Sequence, residues 1–177
     1  MNIEEIDWKK IILIPEKKKG YRFAYNMSRL KISTPEMYIP FGIEMYNNKE
    51  ILNFTIYNKD NVTHNFIRYL ETIEKVYEQF SGPEIGKSNL PFVNLPPDFI
   101  KDVQKKEFTK TLKPGTNGSM LRTHVKNVEI SDKNNKLLLS KDIIKKKCKC
   151  EIELANVWIY GNKYGLVWHV NKIQILE

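Results

Sequence analysis

Apolar side chains occupy every second position over long stretches of this chain, the period of a strand with one wet face. The pattern is sharpest near the C-terminus, where Cys148, Cys150, Ile152 and Leu154 alternate with Lys149, Glu151 and Glu153. After Ala155-Asn156 the parity shifts, as at a bulge or a barrel corner, and the run continues as Val157-Trp158-Ile159-Tyr160. Gly161-Asn162 supply turn chemistry, and residues 164–175 return as the second arm of a hairpin. Upstream, residues 10–15 form a short apolar strand that Pro15 ends. Tyr21, Phe23, Tyr25 and Met27 then share one face, with Arg22 on the other. Met37, Ile39, Phe41, Ile43 and Met45 are expected inward on one long strand, leaving Tyr38, Gly42, Glu44 and Tyr46 outside. Asn47-Asn48-Lys49 turns the chain, after which Leu52, Phe54 and Ile56 point in and Asn53, Thr55 and Tyr57 point out. Further on, Leu121, Thr123 and Val125 face the core, and Arg122, His124 and Lys126 share the opposite face.

The period changes once. Val62, Phe66, Leu70, Ile73, Tyr77 and Phe80 recur at spacings of three and four behind a capping Asp60-Asn61, which predicts an amphipathic helix over about 62–80. Ser81-Gly82-Pro83 ends it. Residues at about 84–99, rich in Pro, Gly and Asn, read as an irregular loop inserted into the fold. Residues 101–112 are basic, and 113–119 (KPGTNGS) read as a mobile loop.

A meander, one helix and a closing hairpin make the chain mainly β, with an OB-fold-like antiparallel barrel as the expected architecture. A β-sandwich with one helix is the competing fold. No composition shift divides the chain, so 1–177 reads as a single OB-like domain, a size that buries a real core.

Chemistry enters through charge. Lys and Arg number 29 against 21 acids, a net charge of +8, which favours a polyanion, either nucleic acid or an acidic membrane surface. No stretch approaches the roughly 20 apolar residues of a membrane span. The opening MNIEEIDWKK carries acids where a secretory leader has lysines, and two cysteines in a Cys-x-Cys pair are poorly placed for a disulfide framework. An intracellular, reducing setting is therefore expected. Enzyme classes find no foothold. His64, His124 and His169 share no metal-ligand spacing, and the 113–119 segment lacks the Gly-Lys-Ser/Thr ending of a P-loop. Cys148 and Cys150 read as small buried apolar residues rather than zinc ligands, and no cofactor is expected.

What remains is a surface of rings among cations. The candidate nucleic-acid contacts are Arg22, Tyr38, Tyr46, Tyr57, Lys110, Lys113, Arg122, His124, Lys126, Lys147 and Lys149, with Trp158, Tyr160 and Trp168 from the final hairpin. Such a mixture suits single-stranded nucleic acid, since every base offers a π-face, worth about 1–3 kcal/mol when stacked, and every phosphate a charge. A structural or interaction protein whose rings pack against protein, and an RNA or duplex binder, are the other readings open at this point.

The segments PFGIEMYNNKEILN (40–53), LRTHVK (121–126) and VWIY through GLVW (157–168) resemble the phage-type single-stranded-DNA-binding proteins of nucleocytoplasmic large DNA viruses. The resemblance implies an OB fold without a cofactor and a protein that coats DNA strands exposed in viral replication, recombination or repair. It leaves homo-oligomers and contacts with replication proteins open. One departure is notable: such proteins usually end in an acidic tail, whereas this chain ends on KIQILE inside a strand, so recruitment of partners through a tail is not expected.

Overall fold

A computed structural model describes residues 1–18, 20–81 and 95–177 of the chain. Most of the predicted 84–99 insertion lies outside the described residues. Strands β1 (Ile11–Pro15) and β2 (Tyr21–Tyr25) pair antiparallel, and β3 (Leu30–Ser33) and β4 (Met37–Ile39) follow. Next, β5 (Ile43–Tyr46) and β6 (Lys49–Ile56) form a hairpin. Its two-residue turn holds Asn47 and Asn48 at φ 49° and 60°, the left-handed pair that suits the twist of the flanking strands. Helices α1 (Asn61–Glu78) and α2 (Pro97–Val103) precede β7 (Glu107–Thr109), β8 (Leu112–Gly115), β9 (Gly118–Ser131), β10 (Lys146–Tyr160) and β11 (Lys163–Ile175).

The described strands form one sheet whose path β10-β4-β6-β9-β11 closes on itself because β10 and β11 also pair. This ring has the OB-like arrangement, and β3 and β2 extend it along β10. The ring is not wholly antiparallel: β9 and β11 run parallel, as do β7 and β11. Two chain reversals separate β9 from β11, so β11 returns in β9's own direction. The interior holds Ile39, Leu52, Phe54, Leu121, Cys148, Ile152, Trp168 and Ile173, all essentially free of water.

Helix α1 begins where Asp60 accepts the Thr63 N–H at 2.8 Å. Phe66, Leu70, Ile73 and Tyr77 face the core as the spacing predicts. Val62 does not; it lies in the first turn, before the helix reaches the sheet, and is exposed. The Tyr164 hydroxyl donates to the Tyr77 carbonyl at 2.8 Å and ties the helix to β11. Phe99 of α2 meets Tyr21, Tyr77 and Phe80 edge-on at 5.2–6.3 Å.

Three expectations need correction here. The long strand from Met37 to Met45 is broken at Pro40-Phe41-Gly42: Gly42 takes φ +80°, and a Cβ there would come within 2.8 Å of Ile144 Cγ1. The break resets the alternation, so Phe41 and Met45 lie outside, 61% and 67% exposed. Residues 113–119, expected to be a mobile loop, lie in a β8–β9 hairpin paired from Leu112↔Leu121 to Gly115↔Gly118. Trp168, a predicted platform, is 1% exposed and belongs to the core, because β11 turns Tyr164, Leu166, Trp168 and Val170 away from solvent.

Candidate nucleic-acid interface

Alternation along β9 sends Leu121 and Thr123 inward and leaves Arg122, His124 and Lys126 facing out. Arg122 is held in place. Its Nε donates to Asn53 Oδ1 at 3.3 Å from β6, and the guanidinium lies 4.8 Å above the Tyr46 ring from β5. Asn53 in turn donates to Glu44 Oε2 at 3.4 Å. A cation held over a ring offers a fixed positive charge at little entropic cost.

Trp158 approaches the same place from β10. The bulge at Ala155 lets Leu154 pair with Trp168 and Asn156 with Val167, so the inward parity changes and Trp158 and Tyr160 share the outer face. Trp158 lies across from Gly165, where a Cβ would come within 3.0 Å of the indole Nε1 and 2.8 Å of the Thr109 carbonyl oxygen. The glycine makes room for both the ring and β7.

Lys110 and Lys113 come from the segment between β7 and the β8–β9 turn. That segment is anchored from below by Glu74 of α1, a buried carboxylate that accepts from the Thr111 N–H, the Thr111 hydroxyl and the Leu112 N–H. Burial raises the Glu74 pKa above the carboxylate norm, outweighing those hydrogen bonds and the nearby Lys110 ammonium, which lower it. One turn on, Glu78 Oε2 sits 3.6 Å from Lys110 Nζ. These elements enclose a furrow lined by Asn53, Lys110, Lys113, Arg122, His124 and Trp158. Its volume of about 130 Å³ makes it a crease for an extended chain rather than a chamber.

Other predicted residues fall elsewhere. Arg22 and Lys126 line a second cleft beside Glu153 and His169. Tyr38 and Tyr57 meet at 6.1 Å in a third group, where Lys147 lies 3.8 Å from Glu36 and 3.5 Å from Glu177. Glu36 also holds Lys59 at 2.6 Å, a hydrogen bond that lowers its pKa. Lys149 lines a separate surface near Ser33 and Thr34. Tyr160, 84% exposed, stands at the β10–β11 tip.

The sequence did not single out Asn53, Glu74 or His169 for this surface. Asn53 and Glu74 look like ordinary polar positions until strand and helix are packed. His169 is brought beside His124 only by the parallel β9–β11 register, their ring centroids 6.3 Å apart. Burial lowers the pKa of both; Lys49, His169 and Arg122 lower His124 further, while Lys126, Arg29 and Lys49 act on His169 against the opposing pull of Glu153. Both are neutral near about pH 7. The two cysteines are buried with their sulfurs 3.7 Å apart, and burial pushes the Cys150 thiol well up, away from the reactive thiolate. Among the described residues no group of three His, Cys, Asp or Glu side chains is placed to hold a metal ion, and no helix is long and apolar enough to cross a membrane.

No protein-family model matches the sequence, and no curated protein matches it either. Solved structures do match the fold. The single-stranded-DNA-binding protein of bacteriophage Enc34 superposes with a TM-score of 0.52 at 11% identity, over 94% of this chain and 89% of that one. The same protein in complex with ssDNA gives 0.53 at 10% identity, over 95% and 96%. Bacteriophage T7 gp2.5, a single-stranded-DNA-binding protein, gives 0.53 at 10% identity, over 85% and 87%. The chain therefore has the fold of these phage proteins, a mainly β, OB-like architecture matched over nearly its whole length.

Proposed function

We propose that this protein binds single-stranded DNA without strong sequence preference, with the whole chain acting as one non-catalytic binding unit. The observation that carries the reading is the furrow, where Arg122, Lys110 and Lys113 stand around the Trp158 ring on the outside of an OB-like ring. Lysine and arginine side chains neutralise phosphates and release counterions, and the indole stacks on any base. The likeness to phage proteins described as binding single-stranded DNA, one of them with ssDNA bound, supports the same assignment. The resembling segments at 40–53, 121–126 and 157–168 support a viral setting, with the protein coating strands exposed during replication, recombination or repair.

The test is a titration of labelled oligo-dT, duplex DNA and RNA over a range of salt. Oligo-dT is expected to bind best, with affinity falling steeply as salt rises. Replacing Arg122 and Lys126 with alanine should weaken binding to all sequences and flatten the salt slope by about 0.7 for each phosphate that is no longer neutralised. Preferential duplex binding, or an unchanged slope in the double variant, would overturn the assignment.

A further inference from the structure

The second cleft is of different character from the furrow, and the two lie side by side across β9 and β11. His124 lines the furrow and His169 the second cleft, and these residues are neighbours in the β9–β11 register. Just beyond His124 the register slips: Val125 pairs with Val170, but the next pair is Glu129 with Lys172. The extra residues of β9 form a bulge in which Asn127 takes φ +52°. That bulge carries Lys126 and Asn127 outward to the rim of the second cleft.

Across the cleft stand Arg22 of β2 and Arg29, the latter from the turn before β3. The Arg29 side chain is 74% exposed, yet it is tethered: its Nη1 lies 3.4 Å from Oε2 of Glu153, a carboxylate nearly closed off from water. Asn171 Nδ2 donates to the same oxygen at 3.2 Å. Glu153 thus sits at the floor of the cleft and sets where the guanidinium stands. The cleft contains no accessible large ring comparable to Trp158; three cations and three amides line it, outnumbering its carboxylates, the buried Glu153 and the exposed Glu16 at its edge. Such a set recognises phosphate and sugar, not the faces of bases.

Resting on the single-stranded-DNA reading above, we infer that this cleft is a second subsite, in which Arg29, Arg22, Lys126 and His169 hold the backbone of a strand whose bases stack in the furrow. The His124–His169 pair is the crossing point between the two. A strand filling only the furrow meets Trp158 and Arg122; a longer one reaches Arg29 and adds phosphate pairing without adding stacking.

The test is a length series of oligo-dT from about 4 to about 16 nucleotides, the range of OB site sizes, measured at several salt concentrations. The unsubstituted protein should show a step in affinity, with a steeper salt slope, once the oligomer spans both clefts. An Arg22→Ala/Arg29→Ala variant should lose the step and bring the long-oligomer slope down by about 1.4, two phosphates at about 0.7 each, while the shortest binding oligomer is unaffected. Glu153→Gln, nearly isosteric and still able to accept from Asn171, removes the acid from the floor and should tighten the long oligomers alone. It also keeps the idea exposed to refutation should the double variant fold poorly. If the step survives in the double variant, or Glu153→Gln leaves long oligomers unchanged, the subsite is wrong although single-strand binding stands. If the unsubstituted protein binds no oligomer at all, the reading beneath it falls as well.

Discussion

The two arms of the final hairpin carry two large rings each, and the fold treats them in opposite ways. On β11, Tyr164 and Trp168 are sunk in the core, and the Tyr164 hydroxyl finds a carbonyl on α1. On β10, Trp158 borders the furrow and Tyr160 stands free at the tip. Ring type does not separate the pairs, since each has one Trp and one Tyr. Parity does. Up to Leu154 the even-numbered residues of β10 point in; after the bulge at Ala155 it is Val157 that is buried. One extra residue thus converts two core rings into two surface rings, and the surface site exists because the barrel turns a corner there.

The most severe way to break that contrast is to insert one residue between Val167 and Trp168 of β11, opposite the bulge, so that the two arms pair without it. Alternation would then run through the corner, and either Trp158 and Tyr160 turn inward or Cys148, Cys150, Ile152 and Leu154 turn out. Exposing several core side chains at about 1.5–3 kcal/mol each exceeds the margin of an ordinary domain, so the lengthened chain is expected not to fold cooperatively. Circular dichroism with urea titration reads this directly; a native-like transition would mean that the bulge does not set the faces. Next in size is Trp168→Ala, which should cost about 3–5 kcal/mol of unfolding free energy as a core truncation. Trp158→Ala should leave the unfolding midpoint much closer to that of the unsubstituted protein and instead lose about 1–3 kcal/mol of oligo-dT affinity. Equal stability losses in the two variants would erase the distinction between core ring and platform. Tyr160→Ala, at the exposed tip, should fall near the lower end of that binding range, with no measurable change in stability.

Much of this contrast is legible in the amino-acid pattern, and the reasons why some is not are specific. The Cys148–Leu154 alternation, the parity shift at Ala155-Asn156 and the Gly161-Asn162 turn are local properties, and all three recur in the structure. Which arm sends its rings inward is not local. Tyr164 and Trp168 alternate with Gly165 and Val167, apolar residues on both faces, because β11 is flanked by β9, β10 and β7 and has little wet surface. Alternation carries no sign when both faces are apolar. The Pro40-Phe41-Gly42 break was hidden for another reason: its residues fit a strand by hydrophobicity, and only the left-handed φ of Gly42 reveals the corner. Helix α2 is too short for a helical period to show, and its Pro97 reads as loop until it is seen at the first helical turn. The furrow's Arg122 and His124 lay on a face the sequence assigned to solvent, but their convergence with Trp158, and Glu74 beneath the rim, depend on pairing between distant segments.

The smallest effect concerns the histidines that join the two clefts. Both have folded-state pKa values below the ordinary value of about 6.5, chiefly through burial. A depressed pKa means that, as pH falls below about 6.5, the unfolded chain takes up these protons before the folded one, so stability declines toward acid. Above that range the histidines are neutral in both states and contribute no slope. The charged groups around them are Lys49 on β6, Arg122 and Lys126 on β9, Glu153 on β10 and Arg29 before β3; the cations disfavour protonation and Glu153 alone favours it. Bound DNA acts in the opposite sense, since phosphates laid over the pair stabilise the imidazolium forms. The free protein should therefore lose stability between about pH 7 and about pH 5, relative to a His124→Asn/His169→Asn variant, while its affinity for long oligo-dT rises relative to that variant. Taking the difference between the two proteins cancels the carboxylates, including Glu74, whose raised pKa tilts the profile the other way. Parallel pH profiles in both measurements would remove the histidines from the path of the strand and leave the furrow and the second cleft as separate sites.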